Sequence, residues 1–419
     1  LSANATRLAT IADNIANSGT YGYKRTVSDF QAMVIDKPGG GGFAASGVRV
    51  STMRMVDERG SLISTSNATD LAIDGRGFLP VTSLTAMRAG ETPLSLVTTG
   101  SFRPDADGIL RTETGHVLLG WPAGPDGSIG TVPRDTVSAL QPVQISRSAL
   151  VTNPTTRVGL AVNLPSTETA ATASGDPRTV AVEYFGNIGN AERLAITFTP
   201  TIPGTGTSNE WTMVVTDTAS GNAVVGEYTV TFDTSAANGG TLASVVTVSG
   251  GTYDAATGRI PLAVGGGTID LALGKPGDRG GMTQYDASFS TAQIGKDGSP
   301  AATLSAIEVD ANGFLNAIYD QGFSRRLYQI PVVDVPSPNG LGALNNQAYR
   351  VTPESGAFFL WDAGTGPTGA MVGFSREESA TDVAAELTRL IQTQRAYSSN
   401  AKVIQTVDEM LQETTNIKR

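Results

Sequence analysis

The sequence predicts a multidomain, mainly β chain: two β domains, one inserted in the other, with N- and C-terminal α-helices that pair as a coiled coil. Three observations predict it. Both ends carry apolar residues at heptad spacing, whereas the long middle is rich in Gly, Thr and Ser and alternates like strands. The composition of that middle also shifts twice, near residues 145 and 280.

At the N-terminus, Leu1, Ala5, Leu8, Ala12 and Ile15 recur at spacings of four and three, with Ile11 beside them. The stripe stops at Asn17-Ser18-Gly19, a suitable helix C-cap. Residues 25–69 read as a linker region, with a flexible loop at 37–47 around Gly39 to Gly42. Residues 70–145 together with 283–378 read as an inner β domain. Its two parts echo each other: Asp105-Ala106-Asp107-Gly108-Ile109-Leu110 and Asp310-Ala311-Asn312-Gly313-Phe314-Leu315 share one pattern. Asp or Asn before Gly tolerates the positive φ of a tight turn, so paired hairpins are expected. A calcium loop of the EF-hand kind would need a closing Glu that neither copy has.

Between these parts, residues 146–282 read as an inserted outer β domain. Asn153-Pro154 and Pro165 open it, and Gly280-Gly281 close it. Strand segments within it include 194–198, 211–215 and 228–232. In the last segment Val383, Leu387, Leu390, Gln394, Tyr397, Ala401, Ile404, Asp408 and Leu411 keep the heptad rhythm, all but Gln394 and Asp408 being apolar or aromatic. No Pro or Gly interrupts 379–419, and Ser379 with Asp382 resembles a capping box. A narrow apolar seam of this kind wants a partner helix, so residues 1–24 and 379–419 are expected to pair. Leu8, Ile11, Ile15, Val383, Leu387, Leu390, Tyr397, Ala401, Ile404 and Leu411 are the expected packing residues within and between subunits.

Composition narrows the function. The chain has 419 residues, enough for about three domains. A net charge of −10 without a Lys/Arg cluster argues against nucleic-acid binding. The absence of Cys excludes disulfides, thiolate nucleophiles and Cys-ligated metals. No 18-residue apolar run suggests membrane insertion, and the first residues do not read as a signal peptide. His116 is the single His, so a His-rich zinc site is excluded, and no G-x-S-x-G elbow holds a Ser for a triad. Gly75-Arg76-Gly77 and Gly265-Gly266-Gly267 lack the Lys-Ser/Thr of a phosphate loop. No catalytic, cofactor or metal residues are expected, and the chain reads as no enzyme.

The ends are specific enough to carry a family resemblance. Ile11-Ala12-Asp13-Asn14-Ile15-Ala16-Asn17-Ser18-Gly19-Thr20-Tyr21-Gly22-Tyr23-Lys24 resembles the N-terminal signature of flagellar rod and hook proteins, where an N-N-I-A-N-like helix end runs into a T-x-G-[YF]-K turn. Gln394-Arg395-Ala396-Tyr397-Ser398-Ser399-Asn400-Ala401-Lys402-Val403-Ile404-Gln405-Thr406-Val407-Asp408-Glu409-Met410-Leu411 resembles the matching C-terminal helix. Thr69-Asp70-Leu71-Ala72-Ile73-Asp74-Gly75-Arg76-Gly77-Phe78, and Gly100-Ser101-Phe102 leading to Gly120-Trp121-Pro122, are similar to the family's interior.

The resemblance implies a coiled coil facing an inner channel, a β domain outside it and an outermost inserted domain. It implies unfolded export through the flagellar type III apparatus, without a cleaved signal peptide, and polymerisation into a helical homopolymer beneath a cap. The implied partners are other copies of the chain, the rod, the hook cap and the hook–filament junction proteins. The size of the insertion favours a hook subunit, a flexible joint that transmits motor torque to the filament outside the cell. A distal-rod protein is the alternative within the family, and an extracellular β-rich adhesin fits the composition but not the ends. Departures exist: the family usually has about a dozen residues before the position of Leu1, Asp13 replaces an Asn, Leu96-Val97-Thr98-Thr99 stands where Tyr-Thr-Arg is frequent, and Thr381-Asp382-Val383 replaces Asn-Val-Asp.

Overall fold

The structure is a computed structural model that describes the chain except residues 1, 36–43, 125–126, 147–149 and 418–419. It divides into two compact units. The first comprises Leu1–Arg147, Ser305–Ile318 and Ser324–Arg419; the second comprises Ser148–Leu304 and Tyr319–Phe323.

The first unit begins with α1 (Ser2–Ala16), whose buried residues are Thr10, Ile11 and Asn14. The chain then forms β1 (Thr26–Ile35) and β2 (Ala44–Arg54), which pair antiparallel from Thr26↔Arg54 to Ile35↔Ala44. Leu62–Ser64 pairs with Ser375–Glu377. Residues 25–69 are therefore largely strand rather than linker; of the expected loop at 37–47, residues 44–47 belong to β2 and the rest, with Gly39 to Gly42, lies outside the described residues. The reason is pairing: Val27, Met53 and their neighbours find cross-strand partners that alternation alone left unassigned.

Beyond this ribbon, the largest sheet carries His116–Pro122 between Leu79–Ser83 and Ser324–Gln329. The short helix α2 (Leu84–Arg88) follows the first of these neighbours, capped by the Ser83 hydroxyl. Phe78, Leu96, Leu119, Trp121, Tyr349 and Leu360 are buried together as the core. Both echoed turns have the same geometry. The Asp105 carboxylate accepts the N–H groups of Asp107 and Ile109 at 3.0 Å, and that of Asp310 accepts those of Asn312 and Phe314 at 3.0 Å. Gly108 and Gly313 each adopt a φ of 80°, which explains the Gly. The unit ends in α3 (Val383–Ile417).

The second unit is a two-sheet sandwich. One sheet is an antiparallel meander of Arg178–Phe185, Ala191–Pro200, Glu210–Asp217, Ala223–Phe232 and Leu242–Ser249. The other orders Arg259–Val264, Gly267–Ala272, Arg157–Asn163 and Ser290–Lys296. Alternate residues such as Leu160, Ile196, Trp211, Tyr228 and Leu271 fill the space between them. Its edge lies beyond the expected residue 282, because Ser290–Lys296 pairs along Arg157–Asn163 and completes the second sheet. Residues 283–304 thus leave the expected inner domain.

Candidate functional site

The N-terminal signature builds a turn whose residues each have a mechanical reason. Asn14, 1% exposed, holds the helix end to β1: its amide N–H donates to the Thr26 carbonyl at 2.8 Å, while its side-chain oxygen accepts from Thr26 N–H at 2.9 Å and Tyr23 O–H at 3.1 Å. Gly22 has a φ of 69°, and a Cβ there would meet Thr99 Cγ2 at 3.0 Å. Its N–H donates to the Glu377 carbonyl at 2.8 Å, tying the turn to the strand that leads into α3.

Lys24 is fully buried. Its Nζ donates to Glu377 Oε1 and to the Glu58 carbonyl, both at 2.6 Å. The same Glu377 oxygen accepts Gly60 N–H at 2.8 Å. Desolvation lowers the Lys24 pKa, with the Glu377 charge opposing it. Arg25 forks onto Glu58, and its Nη1 lies 3.8 Å from Glu386, a buried residue of α3 that also pairs with Arg389 at 2.7 Å. Hydrogen bonding to Glu58 raises the Arg25 pKa. Charged groups from four parts of the chain, at 24–25, 58, 377 and 386–389, thus converge between the end of the α1 turn and the start of α3.

The start of α3 is set by Asp382, whose carboxylate accepts the N–H groups of Ala384 and Ala385 at 2.9 and 3.1 Å. Ser379 instead caps the preceding turn through Thr381 N–H, so the helix N-cap is Asp382, three residues after the expected Ser379. At 1.5 Å per residue α3 is about 50 Å long and α1 about 22 Å. The two helices lie against each other.

Within one chain the buried stripe is mostly polar: Thr10 and Asn14 beside Ile11 on α1, and Glu386 and Thr393 on α3. Of the expected packing residues, Ile11 is buried, and Leu8, Ile15, Leu390 and Ala401 are half-buried. Val383, Leu387, Tyr397, Ile404 and Leu411 are exposed, Leu411 by 59%. Ile391, Val403, Val407 and Met410, not singled out by the heptad count, are exposed beside them. The carboxylates of Glu58, Glu377 and Glu386 were also missed. Lys24 and Glu377 stand 353 residues apart, and nothing in local periodicity connects them.

Elsewhere the chemistry is sparse. His116 sits half-buried on a strand, and burial pushes its pKa down. No helix among the described residues is long and apolar enough to cross a membrane.

Family models match three stretches in order: the flagella basal body rod protein model at residues 1–24, the flagellar basal body protein FlaE D2 domain at 160–299, and the flagellar basal body rod FlgEFG protein C-terminal model at 372–417. Two terminal rod segments enclosing a D2 domain define a flagellar axial subunit.

The whole chain is 33% identical to the flagellar hook protein FlgE of Brucella suis, covering 100% of this chain and 97% of that one. The Rhizobium meliloti hook protein is 30% identical with the same coverage, and the Salmonella typhimurium hook protein is 26% identical over 100% of this chain and 98% of its own. A solved Helicobacter pylori hook protein, FlgE2, superposes with a TM-score of 0.47 at 13% identity, covering 76% of this chain and 99% of that one. The chain belongs to the flagellar hook protein family, and its place is the bacterial flagellar hook.

Proposed function

We propose that the chain polymerises into the helical tube of the hook through α1 and α3, and that the tube acts as a flexible joint between motor and filament. The observation that carries this is the exposed apolar surface of α3. Leu387, Ile391, Ile404, Val407, Met410 and Leu411 leave a long helix with more apolar surface than the single chain covers. Such a surface is a docking face for other helices. The expected heptad residues, from Leu8 on α1 to Leu411 on α3, are then contacts between copies as much as within one.

The convergence of Lys24, Glu58, Glu377 and Glu386 supports a rigid junction behind that face, so that load on the helices passes into the β structure. In this reading α1 and α3 form the wall of the helical tube. The subunits leave the cell through the flagellar type III apparatus and meet the rod, the hook cap and the junction proteins. The relatives are flagellar hook proteins, and the function read for this chain is structural.

Electron microscopy of basal bodies from a strain lacking the gene tests the reading. Complete rods without hooks are expected. Rods that stop before the outer membrane would move the subunit to the distal rod, and intact hooks would overturn the assignment.

A further inference from the structure

The outer face of the second unit's smaller sheet carries a cleft of about 340 Å³. Along Arg157–Asn163 the residues Val158, Leu160 and Val162 point into the core, so Gly159 and Ala161 lie on the opposite face. In register across that face stand Arg259, Ala272, Gly159 and Gly295, followed by Ala161 opposite Gln293. Gly159 and Gly295 are bare floor: a Cβ on either would meet nothing within 4 Å. Neither needs Gly for its backbone, since neither φ lies in the left-handed region. The segment 274–281 forms a wall, fixed where Gly274 and Gly281 nearly touch, and brings Lys275 and Asp278 to the rim.

Charge distinguishes this cleft from the rest of an acidic chain. Arg259 is half-buried and has no ion-pair partner among the described residues. Asp278, the one acidic residue among the described residues of the lining, is engaged by Gly280 N–H at 2.9 Å. A guanidinium lining a cleft with a glycine floor suits a carboxylate that approaches closely.

The same unit presents such a group elsewhere. Tyr285, Asp286, Ala287 and Ser288 form an exposed loop at the far end of Arg157–Asn163, anchored where Tyr285 N–H donates to Asn163 Oδ1 at 2.9 Å. Other aspartates of this unit, at 176, 217, 233, 254, 278, 297 and 320, accept hydrogen bonds close by, and Asp270, which does not, is half-buried. Asp286 is exposed and has no such partner among the described residues.

We infer that the Arg259 cleft of one copy receives the Asp286 loop of a second copy. The two features lie at different places on one rigid sandwich, so the contact is heterologous. Heterologous contacts repeat without closing and generate helical assemblies. The chain's net charge of −10 makes unspecific approach of copies unfavourable, and this pairing supplies local complementarity. The inference rests on the proposed self-assembly.

The test measures the critical concentration for polymerisation of the purified full-length chain, with monomer melting as a control for folding. Arg259→Glu and Asp286→Arg should each raise it about fivefold, the scale of one ion pair of about 1 kcal/mol. The double variant, with the charges exchanged, should return close to the unaltered value. Gly159→Leu, whose Cβ would meet nothing within 4 Å and whose side chain would occupy the cleft, should also raise it. Unchanged thresholds in the single variants, or a double variant no better than either single, would overturn the docking. Failure of the unaltered chain to polymerise would instead remove the self-assembly reading, and the docking with it.

Discussion

Lys24 shows how a residue can be legible in sequence while its reason is not. It closes the T-x-G-[YF]-K turn, so its position was visible, yet in isolation a Lys after two aromatics reads as a surface charge. Folding removes it wholly from water and supplies Glu377, the Glu58 carbonyl and a shared Gly60 N–H around one carboxylate oxygen. Burying both charges is costly, and what offsets it is the hydrogen bonding around Lys24 Nζ and Glu377 Oε1, since Glu377 Oε2 is buried without a partner among the described residues. Removing one partner strands the other. Lys24→Met should therefore destabilise the first unit by about 3–5 kcal/mol, because Glu377 remains buried without its cation. The double variant Lys24→Met with Glu377→Leu should recover a large part of that loss. Chemical denaturation followed by Trp fluorescence checks it, since Trp121 lies in this unit's core. A single variant as stable as the unaltered chain would show that the pair is not a buried anchor.

The elements divide by the kind of signal they give. Strands at 194–198, 211–215 and 228–232 were legible because the meander buries alternate residues, and each lies within an observed strand. The ribbon β1–β2 was not, since Gly, Ser and Gln interrupt its alternation and only its cross-strand register gives it form. The extent of α3 was legible from uninterrupted helix formers, but which face packs within the chain was not. The apolar heptad led toward Leu387 and Ile404, whereas Glu386 and Thr393 turn inward, because the junction supplies Arg25 and Arg389 for the carboxylate. Under the proposed assembly, the apolar stripe left outside is the surface that other copies cover. Ile404→Lys and Leu411→Lys should leave monomer stability within about 0.5 kcal/mol, as for surface substitutions at good helix positions. The same variants should abolish sedimentable polymer at concentrations where the unaltered chain assembles. Normal assembly of either variant would take the contact away from that face.

At the scale of the whole molecule, the chain crosses between its two units at places the composition only approximated. The shift near 280 reflects the Gly-rich wall at 274–281, which is a feature inside the second unit rather than its border. The border falls at Leu304 because Ser290–Lys296 returns to pair with Arg157–Asn163, a contact between residues more than a hundred positions apart that no local composition reveals. The difference has a consequence for any test of what the second unit does. Removing 146–282 leaves Ser290–Lys296 as a strand without its partner, with an exposed edge and exposed Ile294. Removing 148–304, with the ends joined by a short flexible linker, takes the sandwich away with both its sheets. The first deletion should therefore yield aggregated protein, and the second a soluble chain with one cooperative unfolding transition. If the second unit serves the bending of the hook, cells carrying the 148–304 deletion should build tubes through α1 and α3 that fail to support swimming. Tubes that bend and drive swimming normally would show that the joint works without the sandwich, and equal behaviour of the two deletions in solution would refute the border at Leu304.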